Sequence, residues 1–296
     1  MRKLTTQLIP VRGLMNMIFF LLITTPVIKA QDVLTGLTSN GGPEGGGTAF
    51  SIKSTGTNFS IIKGFADWGY MAEGDLYRHT DGNFYGMVHW GGTFDFGTLF
   101  KMTPSGAITI IRNFDYTNDG AYPYGELIKG PDGNMWGMTS SGGSYLAGTI
   151  FKLTTAGVFT VVHEFNYNPD GGSPRGHLVL GKDGNFYGIT VSGGTYGYGT
   201  IFKMTPAGVY STLKALNGTT DGGPSYGSIT EGADGNLYGM TYNGGTNNLG
   251  TIFKIAKNGS GFAVLRNFVY VTDGGYSRGD LIQGTDGNLY GVTTAG

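Results

Sequence analysis

The sequence of 296 residues contains no cysteine, only 3 tryptophans and few charged residues, which make up 13% of the chain. Without thiols, disulfide bonds, cysteine-ligated zinc and cysteine nucleophiles are all excluded. After residue 30 the chain also lacks long apolar runs, and no window carries apolar residues at the i, i+3, i+4, i+7 spacing of an amphipathic helix. A folded domain of this composition must therefore be stabilised by packed strands.

Residues 1–30 differ from the rest of the chain. Arg2, Lys3 and Arg12 precede the apolar run Leu14 to Ile23, and small residues lead to Ala30 before Gln31. A basic start, a short apolar core and a small residue at the cleavage point are typical of a secretory signal peptide, whereas a membrane-spanning helix needs about 20 apolar residues. We expect a signal peptide over residues 1–30, a secreted or cell-surface location, and no membrane span in the mature chain.

The remaining residues, 31–296, hold 15 Lys and Arg against 20 Asp and Glu, because all four basic residues of the leader are removed with it. A weakly acidic balance of scattered charges argues against a nucleic-acid-binding surface. Length alone suggests one or two domains, but the internal repeat described next favours one.

A hexapeptide that begins Asp81-Gly82-Asn83 returns at Asp132, Asp183, Asp234 and Asp286, with spacings of 51, 51, 51 and 52 residues. Each copy contains four short runs rich in β-branched and aromatic residues, separated by clusters of Gly, Asp, Asn, Ser and Thr. Four strands in a repeat of this length are the content of one blade of a β-propeller. The sequence therefore predicts an all-β propeller of four-stranded blades over residues 31–296.

The turns divide between two ends of such a molecule. Asp-Gly-Asn and Thr-x-x-Gly turns share one end, and we predict positive φ at the glycines of the first type, which are Gly82, Gly133, Gly184, Gly235 and Gly287. Gly-Gly loops, at residues 41, 91, 142, 193 and 244, share the other end with the links between copies. We call this second end the Gly–Gly end; because its loops are longer and more variable, it is the expected location of function.

The number of blades has two interpretations. The first copy supplies three strands, four copies are complete, and the last supplies two, so about five repeats are present with the first and last incomplete. A five-bladed ring closes if the C-terminal strands pair with the N-terminal ones. Alternatively, the chain is part of a larger propeller that continues beyond Gly296.

The string D-G-N-[FLM]-[YW]-G-[MIV]-T-x-x-G-G-x-x-x-x-G-T-[IL]-F-K resembles the GloVer-type extracellular tandem repeat of bacteria, and residues 183–203 fit it throughout. Residues 81–101 depart from it only at Val88. The resemblance covers nearly the whole mature chain and implies an exported repeat protein; it supplies no reaction and no catalytic residues. Weaker likenesses exist to kelch repeats, through the Gly-Gly pair, and to lactonase and streptogramin-lyase propellers, through the fold.

Two repeated sets are expected to be structural. The aromatic residues that occur once per copy, Tyr85, Trp136, Tyr187, Tyr238 and Tyr290 with Phe100, Phe151, Phe202 and Phe253, suit packing between blades better than sugar pockets. Asp119, Asp170, Asp221 and Asp273 each precede a glycine. They are interpreted as turn residues, with one calcium site per blade as the alternative.

Five residues occupy the position after the glycine that opens the first strand of each copy: Asp75, Glu126, His177, Ser228 and Asp280. In a closed ring they would surround the central channel. Three carboxylates and a histidine there could hold a divalent metal such as calcium or act as acid and base. This set defines the alternative function, a metal-dependent hydrolase or lyase, against the plainer interpretation that the residues are solvated strand starts.

The Gly–Gly end offers a second candidate surface. Its loops carry Phe94, Phe96, Tyr145, Tyr196 and Tyr198, and the position before the strand-opening glycine is occupied by Tyr124, Arg175, Tyr226 and Arg278. Tyrosine and arginine are the residue types that stack on sugars or anchor protein partners. The preferred hypothesis is an exported, non-catalytic binding or adhesion module that needs no cofactor and recognises a glycan or a cell-surface protein.

Overall fold

A computed structural model describes residues 33–65 and 69–296 of the chain. The expected signal peptide lies outside the described residues. Residues 33–296 form one compact unit. The only helix in the described part is a single turn, α1, at Tyr270–Asp273, so the all-β expectation is confirmed. No helix in the described part is long and apolar enough to span a membrane.

Four copies each fold as a complete antiparallel sheet of four strands in sequence order. The first is β4 (Tyr77–Arg78), β5 (Phe84–Val88), β6 (Thr98–Met102) and β7 (Ile108–Asn113), and the second is β8 (Ile128–Lys129), β9 (Met135–Thr139), β10 (Thr149–Leu153) and β11 (Phe159–Glu164). The third is β12 (Val179–Leu180), β13 (Phe186–Ile189), β14 (Thr200–Met204) and β15 (Tyr210–Ala215), and the fourth is β16 (Thr230–Glu231), β17 (Leu237–Met240), β18 (Thr251–Ile255) and β19 (Ala263–Asn267). These sheets are the predicted blades.

Two partial sheets complete the described unit. The N-terminal sheet has three strands, β1 (Val33–Thr38), β2 (Thr48–Lys53) and β3 (Ser60–Gly64), and the C-terminal sheet has two, β20 (Ile282–Gln283) and β21 (Leu289–Tyr290). Among the described strands these two sheets do not pair with each other, so the strand pairing expected for five-bladed closure is not made.

The turns between the first and second strands follow one pattern. In the first complete sheet the Gly82 amide donates to the His79 carbonyl at 3.1 Å, and the His79 amide donates to the Asn83 carbonyl at 2.9 Å. The chain can close this short loop because glycine adopts the left-handed region without a steric clash. The prediction of positive φ is confirmed at all five glycines, with values of 83°, 79°, 76°, 79° and 83°.

The core lies between neighbouring sheets. Trp136 of the second sheet and Phe186 of the third have ring centroids 4.5 Å apart, and Phe165 lies 5.4 Å from Phe202. One buried cluster joins residues 136–165 with residues 178–204, and the neighbouring clusters are built in the same way. Each sheet therefore contributes apolar side chains on both faces, as buried blades require.

The C-terminal partial sheet keeps an uncovered apolar face. Val292 is 68% exposed and Tyr290 is 52% exposed, whereas Met138 and Trp136, at the same repeat positions, are 4% and 0% exposed. The third strand that would lie beside β21 and the next sheet that would cover Tyr290 are both lacking in the described unit. The repeat sequence therefore places apolar residues on a face that is buried in the complete sheets and exposed in the C-terminal partial sheet.

Candidate functional site

The Gly–Gly end carries most of the exposed aromatic side chains that sequence reasoning singled out. Phe94, Tyr145 and Tyr196 are each 54% exposed, and Tyr198 is 46% exposed. Phe96 differs, because its half-buried ring lies 5.1 Å from Tyr116 and 5.7 Å from Tyr122. Four of these five loop aromatics are thus accessible for stacking, and Phe96 supports its neighbours.

Tyr198 forms one wall of a pocket of about 340 Å³ between two neighbouring copies. The opposite wall is the next Gly-Gly loop, with Asn243, Gly244, Gly245 and Asn248, and Gly218 and Thr219 complete the lining. Glycine is required beside the ring, since a Cβ on Gly218 would lie 2.5 Å from the Tyr198 ring. Asn248 has φ of 54° and accepts a hydrogen bond from the Gly244 amide through Oδ1 at 3.0 Å, which holds the loop in shape.

Such a pocket combines an aromatic face with amide groups that donate and accept hydrogen bonds. A pyranose ring presents C–H groups on its faces and hydroxyls around its rim. It therefore suits a site in which a tyrosine ring packs against one face and asparagine side chains contact the rim.

Tyr124, Arg175, Tyr226 and Arg278, which share one repeat position, form a continuous stack across four copies. The Arg175 guanidinium lies 4.9 Å from the centre of the Tyr124 ring and 5.1 Å from that of Tyr226. The Arg278 guanidinium lies 5.3 Å from the Tyr226 ring and 5.1 Å from Tyr242. We call these four residues with His89 and Tyr242 the Tyr–Arg ladder.

Sequence reasoning missed His89 and Tyr242, which extend the ladder at its two ends. The His89 ring lies 4.1 Å from Tyr124, and Tyr242 lies 5.2 Å from Tyr276. Both occupy the position two residues before a Gly-Gly pair, and this shared position was a signal available in the sequence. Burial, with a smaller effect of the nearby Arg175 charge, lowers the pKa of His89 to about 4, although the hydrogen bond to the Pro123 carbonyl opposes the shift. The ring is therefore neutral at pH 7, and its Nδ1 lies 3.3 Å from the Pro123 carbonyl oxygen.

The five strand-opening residues come together in the structure. Asp75, Glu126, His177, Ser228 and Asp280 all line one cavity of about 360 Å³, together with Glu73, with Leu37 of β1 and with Ser39, which follows β1. The preceding glycines allow this convergence because successive copies approach closely. A Cβ on Gly125 would lie 2.6 Å from the Gly176 carbonyl oxygen, and one on Gly176 would lie 2.7 Å from that of Gly227. We call this space the channel cavity.

Inside the channel cavity, side chains of three copies form a hydrogen-bonded group. The His177 amide donates to Ser228 Oγ at 2.8 Å, and Ser228 Oγ lies 2.9 Å from His177 Nδ1. His177 Nε2 lies 3.7 Å from Glu126 Oε1, and His177 Nδ1 lies 3.7 Å from Asp280 Oδ2, so each ring nitrogen faces a carboxylate. The Ser228 amide donates to Asp280 Oδ1.

The electrostatics of this cavity shift the titration of one carboxyl group. The pKa of Glu126 is raised, chiefly by burial and also by the charges of Asp75 and Asp280, while His177 opposes the shift. Among the described residues, no group of three or more histidine and carboxylate side chains has the geometry to hold a metal ion. The contact between Glu126 and His177, 3.7 Å apart, places two groups capable of acid–base chemistry in the channel cavity.

The aspartates considered for calcium sites instead lie beside basic residues of the fourth strands. Arg112 donates two hydrogen bonds to Asp119, at 2.5 and 2.6 Å, and Arg266 pairs with Asp273 in the same way. Lys214 lies 2.8 Å from Asp221, and His163 lies 3.4 Å from Asp170. Each carboxylate has a cationic or polar partner within its own copy, which gives the repeated aspartate a structural role.

The Asp-Gly-Asn turn and the aromatic residue after it form a second structural unit. Asp183 accepts hydrogen bonds from Asn185 Nδ2 at 2.8 Å and from the Tyr187 hydroxyl at 2.7 Å. Trp136 Nε1 replaces the hydroxyl in the second sheet, where it donates to Asp132 at 3.1 Å. Tyr85, Trp136 and Tyr187 are at most 3% exposed, so these aromatics belong to the core rather than to sugar pockets.

Comparison with solved structures identifies this architecture as a β-propeller. The fold is similar to that of virginiamycin B lyase from Staphylococcus aureus, with 15% identity, coverage of 88% of this chain and 83% of that one, and a TM-score of 0.52. It is also similar to a periplasmic gluconolactonase from Pseudomonas aeruginosa, with 16% identity, coverage of 86% and 73%, and a TM-score of 0.55. At such identities the likeness concerns the fold alone.

The sequence itself belongs to the Gloeobacter/Verrucomicrobia repeat family, whose model matches residues 23–181 and 72–296. No curated protein sequence matches the chain. The resemblance noted from the repeated Asp-Gly-Asn and Gly-Gly strings is therefore confirmed at the level of the family.

Proposed function

We propose that this protein is an exported binding module that recognises a glycan on or outside the cell through its Gly–Gly end. The observation that carries the proposal is the pocket in which Tyr198 faces Asn243 and Asn248 across a glycine-lined floor. Exposed aromatic rings at Phe94, Tyr145 and Tyr196 extend the surface around it. Large exposed aromatics concentrated on variable loops of a rigid scaffold are a common design for recognition.

Export is part of the proposal because residues 1–30 have the pattern of a signal peptide. A chain without cysteine also needs no oxidative folding outside the cytoplasm. Expression of the full-length chain in a bacterial host, followed by N-terminal sequencing of the protein in the medium and periplasm, tests this part. A mature N-terminus near Gln31 supports export, and retention of residues 1–30 in a cytoplasmic product contradicts it.

Retention on immobilised glycans tests the binding site. Changing Tyr196→Ala and Tyr198→Ala together should weaken retention about thirtyfold, since each of the two lost stacking contacts contributes on the order of 1 kcal/mol. Tyr198→Phe should retain most of the binding because it keeps the ring. Val209→Ala, on an exposed apolar residue of the opposite end, serves as the control. Equal retention of the double variant and the control would refute the site.

A second candidate function, hydrolysis or lysis in the channel cavity, is favoured by the contact of Ser228, His177 and Glu126. A lyase and a gluconolactonase share the fold. In this alternative, Glu126→Gln with His177→Gln abolishes turnover of a lactone or glycan substrate, with or without added divalent metal, while binding at Tyr198 is unchanged. The preferred proposal predicts no turnover to lose.

A further inference from the structure

Two arginines of the Tyr–Arg ladder carry charges that the described protein does not neutralise. Arg112 and Arg266 form bidentate pairs with Asp119 and Asp273, whereas neither Arg175 nor Arg278 has an ion-pair partner among the described residues. Arg175 Nε is buried and has no hydrogen-bond partner within that part of the chain. A buried donor left unpaired costs about 1–3 kcal/mol, so a water molecule or a ligand that pairs with it would stabilise this site.

The stack fixes both guanidinium groups, and a side-chain hydrogen bond to Tyr242 also holds that of Arg278. Arg278 is exposed, so its other N–H groups remain available to a ligand. Arg175 is held between the rings of Tyr124 and Tyr226, and Arg278 lies beside Tyr226 and Tyr242. Stacking on aromatic faces restricts a guanidinium without using the edge that donates hydrogen bonds. Because both groups lie within 5.3 Å of the centre of the Tyr226 ring, one short ligand can reach both of them.

The surroundings distinguish an anionic ligand from a neutral one. A planar guanidinium presents two parallel N–H groups, which match a carboxylate or a sulfate oxygen pair. Tyrosine rings beside it offer faces for sugar rings. Glu73, Asp75 and Asp280 line the neighbouring channel cavity, so an anion is repelled from that cavity, whereas the two guanidinium groups of the ladder attract it.

We propose that Arg175 and Arg278 bind the oxyanions of an acidic glycan, either uronate carboxylates or sulfate esters, with Tyr124 and Tyr226 packing against its sugar rings. This inference rests on the proposed glycan-binding function and names the class of glycan. The ladder is an extended site at the Gly–Gly end, since Tyr226 lies 5.0 Å from Tyr242, the residue that precedes the Asn243 loop of the pocket.

Calorimetric titration of the full chain with four oligosaccharides tests the proposal. The probes are an oligogalacturonate, the same oligosaccharide as its methyl ester, a sulfated galactan oligosaccharide and a neutral cello-oligosaccharide. We expect one of the two charged probes to bind at least tenfold more tightly than the ester and the neutral sugar, with affinity that falls as salt is added. The charged probe that binds identifies carboxylate or sulfate as the recognised group.

Variants assign the binding to the ladder. Arg175→Gln with Arg278→Gln should weaken binding of the charged probe about a hundredfold and weaken binding of the neutral probe far less. Arg175→Lys with Arg278→Lys should restore only part of the affinity, because lysine lacks the two parallel N–H groups of a guanidinium. Arg78→Gln removes the same charge from an exposed arginine outside the ladder and should change nothing. If the double variant unfolds, Arg278→Gln alone tests the proposal, because this side chain is exposed. We expect it to weaken binding of the charged probe about tenfold.

The outcomes separate the two proposals. Equal affinity for the charged and esterified probes, or charged binding that survives the double arginine change, overturns the acidic-glycan inference while glycan binding at Tyr198 stands. Binding of the neutral probe without binding of either charged probe also overturns the acidic-glycan inference, and glycan binding at Tyr198 again stands. Failure of all four probes to bind contradicts both proposals.

Discussion

Ser228 Oγ lies 2.9 Å from His177 Nδ1, although the two residues are 51 positions apart in the sequence. That separation is one repeat, so the contact joins equivalent positions of neighbouring copies. The same oxygen accepts from the His177 amide at 2.8 Å, and the Ser228 amide in turn donates to Asp280. One-residue differences between copies therefore create a polar connection that an exact repeat would lack.

Replacing Ser228 by alanine tests the structural value of this connection. The change leaves the half-buried His177 amide and Nδ1 without their shared partner, which should lower the free energy of unfolding by about 1 kcal/mol. Urea unfolding at pH 7 measures the loss. Ser228→Thr keeps the hydroxyl and should recover part of the stability; a neutral effect of the alanine change would show that water replaces the hydroxyl at no cost.

The Asp-Gly-Asn turn predicts a pH dependence. Hydrogen bonds from Asn185 and Tyr187 lower the pKa of Asp183 to about 2 against the opposing effect of burial. Because the folded-state pKa lies below the unfolded one, the carboxylate stabilises the protein above about pH 4, and this contribution is lost as the pH falls towards 2. Allowing for its partial exposure, Asp183→Asn should cost about 1 kcal/mol at pH 7 and much less near pH 2.

Asp286 provides the matched comparison for Asp183. It makes the same contacts, with Asn288 and the Tyr290 hydroxyl, but in the uncovered C-terminal sheet. Asp286→Asn should therefore have a smaller effect at pH 7, measured by the same urea titrations. Equal losses at the two sites would mean that burial of the aromatic partner does not strengthen the turn.

The lowered pKa of His89, a residue of the ladder, predicts that the folded protein loses stability at acidic pH. Its pKa of about 4 in the folded state lies below the ordinary 6.5, so the unfolded chain binds the proton more tightly between these values. Stability should fall by about 2–3 kcal/mol as the pH drops from 6.5 to 4 through this residue alone. His89→Gln should flatten that part of the profile in urea unfolding. Burial also lowers the pKa of His163, so a shallower dependence remains in the variant.

Much of the fold follows from the repeat, because strand order, turn positions and positive φ at glycines such as Gly82 are local consequences of one motif. Tyr124, Arg175, Tyr226 and Arg278 could be grouped from the sequence since they share a repeat position. The stacking of these tyrosine and arginine side chains in alternation depends on the rotation and the distance between neighbouring copies. The length of the repeat alone determines neither. For the same reason the pairing of Tyr198 with Asn243 and Asn248, in different copies, was not foreseen.

The ends of the repeat array were harder to interpret from sequence. Counting strands left closure open, since β21 and β1 both have the sequence of a second strand and compete for the same neighbour, β2. In the structure β1 holds that place, with Gly36 paired to Phe50. Local sequence preferences do not distinguish β1 from β21, because both strands have the same pattern. The connection of each strand to the rest of the chain decides which of them pairs with β2.

The uncovered C-terminal sheet leads to the last prediction, a comparison of Tyr187→Ala with Tyr290→Ala. The two residues occupy the same repeat position and make the same hydrogen bond to an aspartate, but Tyr187 is fully buried and Tyr290 is 52% exposed. Removing a buried aromatic ring leaves a cavity and should cost about 3–5 kcal/mol, whereas Tyr290→Ala should cost about 1 kcal/mol or less. Urea unfolding of the two variants under identical conditions measures the difference. A large loss at Tyr290 would show that its apolar face is covered in solution, and its dependence on protein concentration would then show whether another copy of the chain covers it.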